Sequence, residues 1–159
     1  MIRQVGSADW ERLRDARLRA LADAPYAYSS TLASKRAFAD EVWQERATPR
    51  ETGCAFAVER GGRFDAIVSG FVADDSGAVH LVGMWVAPEL RRTGVGRLLV
   101  DAIVDWARAR RARRVCLCVE SGNAEARRLY ERCGFGRTDP LPRLPYEPGP
   151  GADVLVLEL

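Results

Sequence analysis

The sequence has little histidine, and its cysteines do not follow the spacing of a known motif. These two features argue against metal sites and against thioredoxin-like redox sites. His80 is the only histidine, and the closest cysteines, Cys116 and Cys118, have one residue between them, which fits neither zinc nor thioredoxin spacing. We therefore expect no metal site, and reduced thiols that pack as small apolar side chains. No apolar run reaches the roughly 18 residues of a membrane span. The charged N-terminal segment has no signal-peptide pattern, which predicts a cytoplasmic protein without a membrane partner.

Lysine is also nearly absent. Lys35 is the only lysine among 24 basic residues, and the net charge is +2. One explanation for the excess of arginine over lysine is a GC-rich genome. The other is a set of bidentate contacts between arginine and anions, which has to be argued for each site. The basic run at 107–114 contains no aromatic residue. We interpret it as a helix end and a solvated face, and we expect no nucleic-acid partner.

The length of 159 residues suits a single domain over 1–159. Apolar periodicity and turn residues predict the order β-α-α-β-β-β-α-β-α-β-β. The predicted strands are 2–5, 54–59, 64–73, 79–86, 115–119, 135–138 and 154–159. The first predicted helix is capped by Ser7 or Asp9 and runs to about 23, and the other predicted helices are 32–46, 94–110 and 123–133. The strand–helix–strand unit at 79–119 predicts one parallel pair in an otherwise antiparallel sheet. The five prolines at 140–151 predict a loop.

The strongest local signal follows the strand at 79–86. Pro88 ends the strand, Arg91 and Arg92 follow, and Gly94 and Gly96 open a helix. Glycines permit the close backbone approach of an anion cradle, and the first amides of a helix have no intrahelical acceptor. The sequence therefore predicts a pyrophosphate site here. The segment lacks the Gly-Lys-Ser/Thr of a P-loop. It also lacks the third glycine of a Rossmann dinucleotide-binding fingerprint.

Two motifs resemble one family. Arg91-x-x-Gly94-x-Gly96 is similar to motif A of the GCN5-related N-acetyltransferases (GNAT), whose pattern is Q/R-x-x-G-x-G/A, and Asn123-x-x-Ala126-x-x-Leu129-Tyr130-x-x-x-Gly134-Phe135 resembles motif B. The resemblance covers residues 81–135. It implies an α/β (α+β) fold: a mixed, mostly antiparallel central sheet of about seven strands, flanked by about four helices. A splayed strand pair would form the cofactor cleft.

The resemblance also implies acetyl-CoA as co-substrate, with no metal. Its pantetheine arm would lie between the strands at 79–86 and 115–119. Tyr130 would face the thioester sulfur. The implied cofactor-binding residues are Trp85 and Val86 through their main chain, and Arg91, Arg92, Thr93, Gly94, Val95, Gly96, Arg97 and Asn123.

Acetyl transfer to a primary amine has chemical requirements that these residues can meet. Tyr130 is the candidate general acid, because a phenol pKa of about 10 lies close to the thiol value of about 8.5. The attack would be direct, through a tetrahedral intermediate, and the base stays open between Glu120, His80 and water. Tyr26, Tyr28 and Ser29 are candidate acceptor contacts.

Several points stay open at this stage. The acceptor is either a small molecule or a protein N-terminus or lysine, and a longer acyl-CoA is not excluded. A non-catalytic acetyl-CoA sensor is the alternative function. The C-terminal strand could pair across a homodimer.

Overall fold

The computed structural model describes residues 1–24 and 31–159. Within these ranges, six strands form one open sheet in which each strand lies beside the next in chain order. The strands are β1 Ile2–Gln4, β2 Gly53–Arg60, β3 Arg63–Phe71, β4 Ala78–Val86, β5 Arg114–Glu120 and β6 Ala152–Glu158. The same ranges contain five α-helices: α1 Trp10–Asp23, α2 Leu32–Arg36, α3 Asp40–Ala47, α4 Val95–Ala109 and α5 Ala124–Arg132.

The strand directions confirm the mixed sheet. β4 and β5 run parallel and are joined through α4, as a parallel pair requires a crossover. Every other neighbouring pair is antiparallel. The proline-rich segment is a loop between α5 and β6. None of the helices in the described ranges combines the length and the apolarity that crossing a bilayer demands.

The predicted seventh strand at 135–138 is wrong. Only Gly136 pairs, in an isolated antiparallel bridge with Val156. The N–H of Phe135 instead donates to the carbonyl of Tyr130 at 3.0 Å and closes the end of α5. Pro140 follows shortly afterwards and has no N–H to offer a ladder. The contact of Phe135 with α5 and the nearby proline therefore limit pairing over 135–138 to one bridge.

The predicted helical region at 32–46 is divided into two helices, α2 and α3, so the described ranges hold five helices where about four were expected. Thr31 caps α2 by accepting from Ser34 N at 3.1 Å. Asp40 is the first residue of α3, and extended Ala39 precedes it. The carboxylate therefore lies at the positive end of a new helix.

The sheet is covered on both faces. Along β2, Cys54 and Val58 pack toward α4, whereas Ala55 and Ala57 pack toward α1 and α3. This alternation is the period of a strand buried on both sides. The face that carries α1 continues across β5 and β6, where Leu144 of the proline-rich loop covers it.

Candidate functional site

A cleft opens where β4 and β5 separate. The two strands pair only at residues 78–80 and 114–116, where they begin. Beyond that point a cleft of about 800 Å³ lies between them, lined also by the first turn of α4 and by one side of α5. The splayed strand pair expected from the sequence is therefore present.

A bulge interrupts β4 beside this cleft. Its pairing with β3 steps from Trp85 opposite Ile67 to Val82 opposite Ser69, so β4 has one extra residue across the step. Gly83 lies in the bulge with φ of +62°, a conformation that favours glycine. Because the extra residue of a bulge lies outside the regular ladder, a bulge is a place where a strand can present main-chain groups to a ligand.

The loop before α4 has the geometry of an anion cradle. Among the described residues, no backbone carbonyl accepts from the six amides at 92–97, and the first helical bond joins Leu98 N to Gly94 O at 3.2 Å. Gly94 is the N-cap residue with φ of +91°. Arg92 also has positive φ, at +64°. Unpaired amides at the positive end of a helix are a ready site for a phosphate group.

The two glycines of this loop meet different requirements. Gly94 has open space around its Cα and is needed for its positive φ. A Cβ on Gly96 would lie 2.8 Å from Leu129 Cδ2 and 3.3 Å from Met84 Cε. The lack of a side chain at Gly96 therefore lets the start of α4 pack closely against α5 and β4.

The side chains of Thr93 and Val95 contact other parts of the protein and do not line the cleft. The Thr93 hydroxyl donates to the Leu90 carbonyl at 2.6 Å. Val95 is half-buried against the core beneath α4. The loop thus offers its main chain to a ligand at these two positions.

Arg91 is held by the protein itself. Its Nε donates to the Val86 carbonyl at 3.0 Å, and its Nη2 pairs with Asp23 at the end of α1. The same Asp23 carboxylate accepts from the Trp85 indole at 3.0 Å. Arg91 therefore fastens the loop to α1 and to the end of β4.

Other guanidinium groups line the cleft. Arg92 and Arg97 come from the loop and α4, and Arg128 and Arg132 come from α5. Arg97 is well exposed and lies 3.7 Å from Asp101, which is a weak surface pair. These four residues give the mouth of the cleft a positive charge.

Trp85 and Val86 direct their side chains to opposite faces of the sheet. The Trp85 ring is buried beneath α1, with the guanidinium carbon of Arg19 at 5.1 Å from its centre. Val86 packs on the α4 side. Of Trp85, only main-chain atoms can face the cleft on the α4 side, and main-chain binding is what the resemblance implies.

Tyr130 lies on α5 next to the bulge in β4. The residue is 7% exposed, and its hydroxyl donates to Met84 Sδ at 3.6 Å. Its ring packs 6.0 Å from the ring of Phe135. Because Tyr130 also lines the cleft, its phenol is both held by packing and within reach of a bound ligand.

Asn123 begins α5 and lines the same cleft. Its side-chain oxygen accepts from Ala126 N at 3.2 Å, which makes it the N-cap of the helix. The cap occupies the oxygen and leaves the side-chain NH₂ as a donor.

Two of the candidate bases occupy different regions. Glu120 ends β5 and lines the cleft, and the proline-rich loop crosses it so closely that a Cβ on Gly149 would collide with its carboxylate. His80 lies at the paired end of β4, 2% exposed, between the rings of Phe71 and Tyr146. Burial lowers the pKa of His80. His80 is not among the residues that line the cleft in the described ranges.

Sequence reasoning missed two residues that shape this site. Gly83 could have been found, because an isolated glycine inside a strand pattern signals a bulge. Asp23 carried no local signal, because its partners Trp85 and Arg91 are far along the chain. Tyr26, Tyr28 and Ser29 lie outside the described residues.

Comparison with known proteins agrees with this geometry. The sequence matches the acetyltransferase (GNAT) family over residues 13–135. It is 38% identical over 87 residues to a mycothiol acetyltransferase of Beutenbergia cavernae. That match covers 45% of this chain and spans only 29% of the length of the relative.

Solved structures share the fold. An acetyltransferase from Streptococcus agalactiae superposes with a TM-score of 0.79 at 17% identity, over 100% of this chain and 98% of that one. The PaiA N-acetyltransferase of Thermoplasma acidophilum, solved in complex with coenzyme A, gives 0.77 at 12% identity, over 100% and 98%. Since the family match covers more than half of the sequence, this chain belongs to the GNAT acetyltransferase family.

Proposed function

We propose that the protein transfers an acetyl group from acetyl-CoA to a primary amine. The observation that carries the proposal is the row of six amides at 92–97, none of which has a backbone acceptor in the described ranges, at the mouth of a cleft that continues between β4 and β5. A diphosphate suits such a row, because each oxygen can accept from main-chain donors at the positive end of α4.

The residues present fit acetyl-CoA along its length. The amides of 92–97 would hold the pyrophosphate, with the guanidinium groups at the mouth of the cleft beside it. The Asn123 NH₂ and the main chain of Trp85 and Val86 would hold the pantetheine arm. Bound acetyl-CoA supplies a thioester carbonyl that an amine can attack.

Tyr130 acts as the proton donor in this proposal. Its hydroxyl already donates to the sulfur of Met84, so a sulfur acceptor suits its surroundings. The amine nitrogen would first bond to the carbonyl carbon, giving a tetrahedral intermediate, and the carbon–sulfur bond would then break to release the thiolate. The amine loses one proton and the departing thiolate gains one, so the protons balance and no covalent enzyme intermediate is needed.

Glu120 or a water molecule accepts the proton of the amine. Glu120 lines the cleft at the end of the splayed strand β5. Main-chain N–H groups near the β4 bulge would stabilise the negative charge on the carbonyl oxygen, as fixed donors do in acyl transfer.

Calorimetry with CoA and acetyl-CoA tests binding, and thiol release with a panel of amines tests catalysis. Gly94→Ala should weaken CoA binding by about tenfold or more, because an alanine at this φ is strained and relaxation of the loop would disperse the amides. Gly62→Ala is the matched control. Gly62 also has positive φ (+79°) and open space around it, but it lies in the β2–β3 turn.

The outcomes separate the two functions considered. Binding of acetyl-CoA without thiol release from any amine would favour the sensor alternative. Absence of binding at concentrations up to about 1 mM, above the range in which enzymes hold their substrates, would overturn the proposal.

A further inference from the structure

A second cavity, of about 330 Å³, lies between α1, α3 and the strands β2–β4. This volume is near the lower end for small-molecule sites, roughly 300 to 1,000 Å³. Arg17, Arg46 and Arg50 line it together with Trp43. In the described part of the chain, no aspartate or glutamate lines this cavity.

The cavity meets the cofactor cleft at the bulge in β4. Val82 and Gly83 line both spaces. Arg17 lies over the bulge, because its Nη1 would be 2.9 Å from a Cβ on Gly83. A small ligand in the cavity can therefore extend to the part of β4 where the strands separate.

Positive charge is concentrated around this cavity. Lys35 is 8% exposed, and burial together with the nearby Arg46 and Arg17 lowers its pKa to about 8. Among the described residues, no carboxylate forms an ion pair with Lys35 or Arg46, whereas Arg50 pairs with Glu45 at 2.9 Å. Keeping the buried Lys35 ammonium beside Arg46 and Arg17 is costly to the fold, and an anion bound nearby would offset part of that cost.

Arg46 is oriented by aromatic stacking. Its guanidinium carbon lies 4.8 Å from the ring centre of Phe38 and 5.6 Å from that of Trp43. No acceptor among the described residues bonds to the Arg46 guanidinium. The Trp43 Nε1 likewise has no acceptor, and the residue is 1% exposed. Both donors can bind an anion that enters the cavity.

We propose that the acceptor is a small amine that also carries an anionic group, a carboxylate or a phosphate, bound in this cavity by Arg46 and Arg17. The inference rests on the proposed acetyl transfer and names the class of its acceptor. The same cations favour the neutral, nucleophilic form of a nearby amine, because they lower the pKa of an ammonium group. They also repel a polyamine, which carries several positive charges.

Product binding tests the inference without turnover. Calorimetry on the CoA-bound protein would compare a panel of N-acetyl amino acids with their amides, and N-acetylphosphoethanolamine with N-acetylethanolamine. The best anionic compound should bind about tenfold or more tightly than its neutral partner, and the pair that responds identifies carboxylate or phosphate. Equal binding within every pair, or no binding at all, overturns the inference.

A charge-matched pair of variants locates the effect. Arg46→Gln should raise the dissociation constant of the anionic product, and the KM of the anionic amine, by about tenfold while CoA affinity is unchanged. Arg36→Gln removes the same charge from an exposed position outside the cavity and should change neither constant. Equal effects of both variants would contradict a local anion site.

The two proposals fail in different ways. If the protein binds no CoA and releases no thiol, the proposed function is wrong. If thiol release is fastest with polyamines or neutral amines, the function stands and the anionic acceptor is wrong.

Discussion

Tyr130 holds its hydroxyl 3.6 Å from the sulfur of Met84, beside the β4 bulge. If this hydroxyl protonates the departing thiolate, Tyr130→Phe should lower kcat by about 10²-fold or more, in line with the contribution of general acids. The dissociation constant of acetyl-CoA should stay within about threefold, because the ring still packs against Phe135. Steady-state thiol release and calorimetry measure the two quantities.

Tyr146→Phe is the matched control for this prediction. The Tyr146 hydroxyl also donates to a sulfur at 3.6 Å, that of Cys118. Both variants therefore lose a hydroxyl–sulfur contact, but only Tyr130→Phe should have a lower kcat. A Tyr130→Phe enzyme with wild-type kcat would exclude the proton-donor role.

Lys35 should lower the stability of the fold below pH 8. Its pKa falls from 10.5 to about 8 on folding, through burial and then repulsion by Arg46 and Arg17. Each pKa unit corresponds to about 1.4 kcal/mol, so the charged form costs on the order of 3 kcal/mol. The unfolded chain binds more protons between pH 8 and pH 10.5, so the stability contributed by this group rises with pH across that window.

Lys35→Met should therefore raise the free energy of unfolding at pH 7 by about 1–3 kcal/mol, and the gain should shrink as the pH rises above 8. Urea unfolding at several pH values measures it. Lys35→Arg stays charged over the whole pH range, so it should show no stability gain over wild type that shrinks as the pH rises. A stabilised Lys35→Met variant with weakened binding of the anionic product would identify a residue kept for function at the expense of stability.

At the scale of elements, periodicity predicted what local sequence controls. The apolar spacing within α4 and the glycines before it gave both the helix and its unpaired amides, because these depend on neighbouring residues. The strand prediction at 135–138 failed because the Phe135 N–H closes the end of α5 and Gly136 makes an isolated bridge to β6. The orientation of Arg91 was equally hidden, since its partner Asp23 lies 68 residues away.

The Asp23 carboxylate joins three elements: α1, the end of β4 and the loop before α4. Asp23→Asn keeps an acceptor for Trp85 but loses the attraction to Arg91. Since the pair is partly exposed, the free energy of unfolding should fall by less than about 1 kcal/mol. If Arg91 anchors the loop, the Kd for CoA should rise about fivefold by calorimetry, because the amides lose their fixed arrangement.

The direction of this change distinguishes two roles for Arg91. If Arg91 is instead a phosphate ligand, as the motif suggested, its release from Asp23 should strengthen CoA binding. Asp15→Asn, on the exposed side of the same helix and paired with Arg19, should leave the affinity unchanged. Unchanged affinity in Asp23→Asn would exclude both roles.

For the whole molecule, a net charge of +2 conceals an uneven distribution. Arginines line the mouth of the cofactor cleft and the second cavity, whereas acids such as Asp9 and Asp65 are buried in ion pairs outside both spaces. Composition reports only the sum, so the anion-binding explanation of the arginine content could not be decided from sequence. The fold decides where the arginines and the acids lie, and so it sets the electrostatic potential in each region of the surface.

The buried acids make the stability of the whole fold depend on pH. Asp9 is 5% exposed and accepts from Arg3, Gly6 and Arg12 at 2.8, 2.8 and 2.6 Å. The hydrogen bond from Arg3, opposed in part by burial, lowers the Asp9 pKa from 3.8 to about 2. Burial raises the pKa of Asp65, but hydrogen bonds from Arg60 and Arg63 outweigh it, and the pKa falls.

A depressed carboxylate pKa stabilises the fold above the unfolded value and loses that contribution as the pH falls through the folded value. Asp9→Asn should therefore lower the free energy of unfolding at pH 7 by about 2 kcal/mol, and the difference from wild type should close between pH 4 and pH 2. Asp15→Asn removes an exposed acid and should show no comparable difference at either pH. Urea unfolding at a series of pH values measures both variants. If the stability difference of Asp9→Asn persists unchanged below pH 3, then packing, rather than the charge of Asp9, stabilises the contact between β1 and α1.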